Sequence, residues 1–403
     1  MSTITFTQRR PSVSLTTQPV YKDALGRDFV PPEFTIKDIL DAIPKHCFER
    51  SLSRSLAHVV RDLFYAACLF GLATQIYRIP YLPARVVAWV LYGFCQGLVG
   101  TGLWVLAHEC GHGAFSPYKL ANDTVGWLLH SCLFVPYHSW RITHSKHHKA
   151  TGHLARDMVF VPRDVTRYKR SRQIAELTEE APIVTLFWLL VQQVFGWPAY
   201  LAMNVTGQKY KGVSALRLSH FDPSAPMFDA KDFGDIIISD VGILVAGTLA
   251  YLGIQKWGWL NFVLYYFIPY LWINNWLVCI TYLQHTDPSL PHYDASEWNF
   301  ARGAAATIDR DFGFIGRHLF HEIIETHVAH HYSSRIPFYH AEEATQAIRK
   351  VMGKHYRQDK TNLIVALYKT ARTCHFVEGD DGVKMYRNCN GIGIPAKEQR
   401  KAR

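Results

Sequence analysis

Three short histidine-rich stretches carry the chemistry of this 403-residue sequence: HECGH at 108–112, HSKHH at 144–148 and HVAHH at 327–331. Eight of its 21 histidines fall in them: His108, His112, His144, His147, His148, His327, His330 and His331. On an α-helix, residues i, i+3 and i+4 share a face, so each stretch can aim its imidazoles at one point. A lone histidine is usually a core or surface residue bonded to its neighbours. Three such spacings in one chain have no structural reason. The first stretch alone matches the H-E-x-x-H of zinc metalloproteases, with Glu109 as base, but that leaves six clustered histidines unexplained. Eight neutral imidazoles exceed the three or four that one Zn²⁺ takes. They suit two metal ions with open positions, although ligand type alone does not separate Fe from Cu, Ni or Zn. An oxygen-activating two-metal centre is the chemistry that fits.

The elements that must position these residues are apolar. The hydrophobic fraction is 49%, the charged fraction only 19% and the mean hydropathy −0.04, so long apolar stretches alternate with polar ones. A membrane crossing needs roughly 20 mostly apolar residues, and 59–79, 84–107, 235–257 and 259–284 qualify. A fifth stretch, 181–203, is interrupted by Gln192-Gln193 and Gly196-Trp197-Pro198, and 125–138 is too brief to cross. The first two stretches are joined through YRIPYLPAR and the last two around Gln255–Trp259, which predicts two hairpins. All three histidine stretches lie outside the apolar spans and must share one side to build one site. The expected fold is therefore an all-α integral membrane protein. It has four transmembrane helices and a histidine-rich di-metal cap, with both termini and the cap on the cytoplasmic side. The stretch 181–203 is expected to lie at the interface, or to cross twice as a broken hairpin and so give six crossings. Residues 1–35 and 376–403 are expected to be poorly ordered tails around a single domain, 36–375.

The basic excess, 43 Lys+Arg against 33 Asp+Glu, is scattered and heaviest near the termini. It reads as cytoplasmic flanks facing anionic lipid and argues against a nucleic-acid partner. The eight cysteines show no paired spacing, which points to reduced thiols. The N-terminus has no apolar segment of the signal-peptide kind. A metal transporter would place its polar ligands within its spans. No G-x-G-x-x-G or HPGG-type haem segment is found, so no built-in nucleotide or haem domain is apparent.

At this point the chain resembles the membrane-bound fatty acyl desaturase family, with its boxes HxxxH, HxxHH and HxxHH, and is especially similar to fungal oleate Δ12-desaturases. The likeness runs through TGLWVLAHECGHGAFS, HSWRITHSKHHKATGH, DMVFVPR, CITYLQHTDPSLPHY, EWNFARGAAATIDRDFGFIGRHL, ETHVAHH and IPFYHAEEAT, over roughly residues 30 to 380. The resemblance implies an O₂-dependent enzyme of the endoplasmic reticulum membrane that converts oleoyl to linoleoyl chains. Two iron ions would be held by the eight box histidines, and electrons would come from NADH through cytochrome b5 and its reductase. The substrate would be an oleoyl-phospholipid or oleoyl-CoA; a homo-oligomer is compatible. The same boxes occur in ω-3 or dual Δ12/ω-3 desaturases and in 12-hydroxylases, which are the alternatives. His285, in ITYLQH, matches a ninth ligand of the family's acyl-CoA branch, whereas Thr281 stands where that branch has asparagine. Glu109 is expected to orient its histidine neighbours. His130, His138, His153, His292, His321 and His340 are expected to take supporting roles. Arg400 and Lys401 resemble a reticular retrieval signal, and Asn122 and Asn204 lie in weak glycosylation sequons.

Overall fold

A computed structural model describes residues 20–23, 26–165, 181–379 and 382–388 of the chain. A Thr35–Asp38 capping box starts α1 (Ile36–Ala42). Helices α2 (Leu52–Ala73) and α3 (Leu82–His112) form the first hairpin. Then come α4 (Lys119–Cys132), α5 (Tyr137–His148), α6 (Pro182–Met203) and α7 (Phe233–Trp257). Helix α8 runs over Trp259–His285 with a π turn at Val263–Phe267. Shorter helices complete the chain: α9 (Phe300–Ala304), α10 (His327–Tyr332), α11 (Phe338–Met352) and α12 (Leu363–Thr373).

Five helices, α2, α3, α6, α7 and α8, are long and apolar enough to cross a membrane. Their outer faces expose Phe64 and Leu72 on α2, Leu186 on α6 and Leu249 on α7. Continuous apolar surface of this kind is a liability in water and is at home in lipid. Helix α3 is the central one. It packs against α8 through Gly93 on Ile268, Gly97 on Trp272 and Gly100 on Ile273. That order means the two helices run parallel, so His112 and His285 end up at the same end. A Cβ on Gly97 would lie 2.3 Å from the Trp272 Cβ, and only a small residue lets the backbones approach this closely.

Three expectations change. Residues 182–203 form one continuous helix, not a hairpin broken in two, which removes the reason for six crossings. The polar residues that looked like an interruption face inward: Gln193 is buried and Gln192 lines a cavity, while Pro198 is accommodated inside the helix. The C-terminal tail begins later than expected. Residues 376–388 include β6 (Phe376–Glu378) and β7 (Val383–Arg387), which pair antiparallel, and β7 pairs with Pro291–Tyr293. Val383, Met385 and Tyr386 are buried there; alternating inward apolar residues make this hairpin part of the fold. At the other terminus, Tyr21–Lys22 pairs with Asp28–Phe29, so the segment within 20–35 is also partly structured. Asn122 and Asn204, the sequon asparagines, are buried. Arg400 and Lys401 lie outside the described residues. The seven described cysteines are free thiols.

Candidate metal centre

The nine histidines singled out from the sequence meet beyond the C-terminal ends of α3 and α8, in two groups. His108, His112, His144, His148 and His330 bring one ring nitrogen each within 4.8 Å of one another, as do His147, His285 and His331. His327 joins the second group, its Nε2 at 3.1 Å from His285 Nε2. Sequence spacing suggests that each stretch aims at a single point, and the structure corrects this. Positions i and i+4 diverge by about 40° around a helix, while i+3 leans the other way. Helix α5 therefore sends His144 and His148 to the first group and His147 to the second. Helix α10 does the converse, sending His327 and His331 to the second group and His330 to the first. Both helices stand between the two histidine groups.

Within the groups, nitrogens that cannot all be donors face one another. Nε2 of His108 lies 3.0 Å from that of His144 and 3.2 Å from that of His112; His148 and His144 are 3.1 Å apart, and His147 and His285 3.4 Å. Nε2 of both His330 and His331 is buried with no hydrogen-bond partner among the described residues. Burial first, then repulsion among neighbouring imidazoles, holds the pKa values of His144, His148, His330 and His331 well below the ordinary histidine value. His327 is lowered by the same causes. Neutral imidazoles with converging lone pairs are a cation's ligands. Five nitrogens in the first group exceed the four that tetrahedral zinc takes.

The support around the two groups differs. In the second, Asp157 Oδ1 accepts from His147 Nδ1–H at 2.7 Å, which leaves Nε2 free as ligand. The same carboxylate accepts from the backbone N–H groups of Val159, Phe160 and Gly152. His331 Nδ1 bonds Thr151 Oγ1 at 3.0 Å, while that hydroxyl donates to the His147 carbonyl. Buried Arg310 donates from Nε to the Leu283 carbonyl and ties α8's end, next to His285, to Asp287 and Asp359. Asp309 accepts from Val328 N–H at 2.7 Å and so anchors the start of α10. In the first group, indoles do this work: Trp140 stacks on His144 with ring centroids 4.5 Å apart, and Trp104 on His108 at 5.7 Å.

Sequence reasoning did not single out Asp157, Thr151, Asp309 or Arg310, although Asp157 opens DMVFVPR ten residues after His147. Glu109 behaves differently from its expected role. Its carboxylate accepts from Phe338 N–H at 3.2 Å, tying α3 to α11, and stands 3.5 Å from His108 Nδ1 without a hydrogen bond to it. The flanking histidines stay outside both groups. His321 bonds Asp62 at 2.7 Å, His130 faces the Trp104 carbonyl, and His292 packs on Tyr386. His138 and His153 pack on Tyr137 and Trp298, and His340 lies at the surface beside His46.

A cavity of about 430 Å³ opens onto this centre, with His108, His144, His147, His285 and His327 at its inner end. Its walls come from α3, α6 and α8, through Val105, Trp197, Leu277 and Ile280 among others. Thr281 is on the wall, but its hydroxyl donates to the Leu277 carbonyl of its own helix at 2.8 Å. Tyr200 is held in place by Thr143, which also bonds His220.

Comparison with known proteins agrees with this geometry. Residues 80–361 match the family profile described as "Fatty acid desaturase", and residues 20–74 match a domain of unknown function, DUF3474. The chain is 52% identical to a Delta(12) fatty acid desaturase of Mortierella isabellina, over 91% of this chain and 94% of the relative. It is 49% identical to the oleate hydroxylase FAH12 of Claviceps purpurea, over 92% of this chain and 84% of the relative. A Delta(12)-fatty-acid desaturase of Arabidopsis thaliana is 45% identical, over 89% of this chain and 92% of the relative.

Proposed function

Because the chain belongs to the fatty acid desaturase family, we propose that it is a Δ12 desaturase converting oleoyl to linoleoyl chains within a membrane. The observation that carries this reading is the apolar cavity ending on two groups of histidines, in a chain 52% identical to a Delta(12) desaturase. His108, His112, His144, His148 and His330 would hold one iron ion and His147, His285, His327 and His331 the other. When bound, these ions would supply the O₂-dependent oxidation that removes one hydrogen from each of two neighbouring methylenes. The electrons come from NADH through cytochrome b5 and its reductase.

The chain's own residues supply position. Adjacent methylenes are chemically alike, so selectivity has to come from how deep the acyl chain reaches before it meets the inner histidines. Trp197, Leu277 and Ile280 offer apolar contact and exclude water from the reacting carbons. Tyr200, fixed by its bond to Thr143, is a rigid part of that wall. The Thr281 hydroxyl, committed to its own helix, is not spare to hold a water at the centre.

The chain enters α6 after His148 and reaches His285 through α7 and α8. Those last two helices form a hairpin that returns to the histidine end, so α6 must not cross fully. Its C-terminal end lies at that end too, where Tyr200 meets Thr143, and its length packs on α8 and α12. Four crossings, by α2, α3, α7 and α8, with α6 at the interface, satisfy this. The positive flanks favour the cytoplasmic side of the endoplasmic reticulum membrane for the centre and both termini. Expression in a yeast that makes only monounsaturated fatty acids, followed by gas chromatography of total lipids, tests the function. New linoleate is expected. Ricinoleate would assign the chain instead to hydroxylation, the activity named for its Claviceps purpurea relative, and α-linolenate after linoleate feeding would assign it to ω-3 desaturation. No acyl product, from intact protein with cytochrome b5 present, would overturn the reading.

A further inference from the structure

A second set of metal-binding side chains meets at the surface, away from the nine histidines. The short turn Lys45–Phe48 lays His46 and Cys47 against α11. There His340 and Glu343, three residues apart, share one helical face. His46 Nε2 is 2.8 Å from a Glu343 oxygen, and the donor atoms of His46, His340 and Glu343 all lie within 4.8 Å of one another. The rings of His46 and His340 meet edge-on at 5.6 Å. Beneath them the buried Cys47 sulfur is 3.8 Å from His46 Nε2.

A His46–Glu343 ion pair would account for one of these contacts. It gives no reason for a second imidazole to join them, nor for a thiol to lie beside His46 Nε2. Ligands at about 2.0–2.3 Å from one ion stand roughly 3–4 Å from each other, close to the separations seen here. Two imidazoles, a carboxylate and a thiolate form a donor set of the kind that holds Zn²⁺ tetrahedrally. His46 and Glu343 are each about half exposed, so an ion has a path from solvent.

We propose that His46, Cys47, His340 and Glu343 bind one zinc-class ion, distinct from the catalytic metals, that clamps the N-terminal segment onto α11. Binding displaces the Cys47 proton to solvent as the metal–sulfur bond forms. Residues 46–47 and 340–343 are nearly 300 positions apart in sequence, so the clamp closes most of the chain into one loop. Behind it lies a core in which Ile39, Ile43 and Cys47 pack with Val328, Ala329 and Ile348. That core carries α10 and with it His327, His330 and His331, so the clamp steadies the support of the third histidine stretch. The site is independent of the desaturase reading and stands or falls separately from it.

Co²⁺ added to the iron-loaded protein is the probe, because the nine-histidine centre has no thiol among its donors. A thiolate-to-cobalt absorption band that saturates at one equivalent and is displaced by Zn²⁺ is expected, with iron content unchanged. The band should vanish in Cys47→Ser. His340→Gln and Glu343→Gln, both outside the core, should each weaken Zn²⁺ binding on the order of tenfold or more. Zn²⁺ should also raise the thermal midpoint of the wild type and not that of the His340→Gln/Glu343→Gln double variant. No thiolate band, or a band and Zn²⁺ affinity untouched in the double variant, would overturn the proposal.

Discussion

The two histidine groups present the same kind of donor and are built differently. The first takes two i, i+4 pairs, His108/His112 from α3 and His144/His148 from α5, plus His330. Helices of 31 and 12 residues carry four of its five imidazoles, His112 and His148 as their last residues, and Trp104 and Trp140 stack against His108 and His144. The second takes His147 from α5, His285 from the last residue of α8, and His327 with His331 from a helix of six residues. A helix of six residues fixes little by itself. Hydrogen bonds do the fixing there, from Asp157, Thr151, Asp309 and Arg310. Where secondary structure positions a ligand, aromatic packing suffices; where it does not, polar groups behind the ligands take over.

The largest effects should erase the distinction. His144→Ala in the first group and His285→Ala in the second should each reduce linoleate below detection. Each variant should also leave bound iron at about one ion per chain, not two, because each group keeps its own ion. Metal analysis alongside lipid chromatography checks both. Iron and activity retained in His285→Ala would remove the ninth ligand. Asp157→Asn should then separate the groups: an amide cannot accept from Nδ1–H and from three backbone donors in the same way. Iron affinity or activity is expected to fall by about 10–100-fold. Trp140→Phe, which keeps a ring over His144, should cost only a few-fold by the same assay. An equal loss in both variants would mean that the two groups do not differ in how they are supported.

How far the sequence shows this follows the same division. Ligands carried on helices, such as His108 with His112 and His144 with His148, announce themselves by i, i+4 spacing. The parallel approach of α3 and α8 is hinted at only by glycines at 93, 97 and 100. Which group each histidine joins is hidden, since i+3 and i+4 part company only where two groups flank one helix. Asp157 and Asp309 are single carboxylates with no spacing to mark them. Residues 376–388 lack the length of a recognisable strand pair and gain stability by pairing with Pro291–Tyr293, a partner no local pattern reveals. The inward turn of Gln192 and Gln193 on α6 is equally invisible, because two glutamines in an apolar run carry no local mark of which way they face.

Thr151→Val should have a smaller effect than Asp157→Asn, roughly tenfold or less on iron affinity, since it removes one neutral partner of His331 Nδ1. Smallest of all is a pH effect at the second group's support. Burial raises the Asp309 carboxyl to about 8, despite the bonds it accepts from Tyr356 and Val328. A carboxyl whose folded pKa lies above its unfolded value near 4 favours the folded state when protonated. The stability it confers is therefore complete below about pH 4 and is lost as pH rises toward 8. Between pH 6 and pH 8 the wild type should lose on the order of a few degrees of thermal midpoint that Asp309→Asn does not lose. The amide in that variant keeps an oxygen for Val328 N–H but cannot ionise, so the difference between the two pH profiles isolates this one group. Parallel profiles would mean that Asp309 holds α10 by its hydrogen bonds alone, with its charge state irrelevant to the anchoring of His327 and His331.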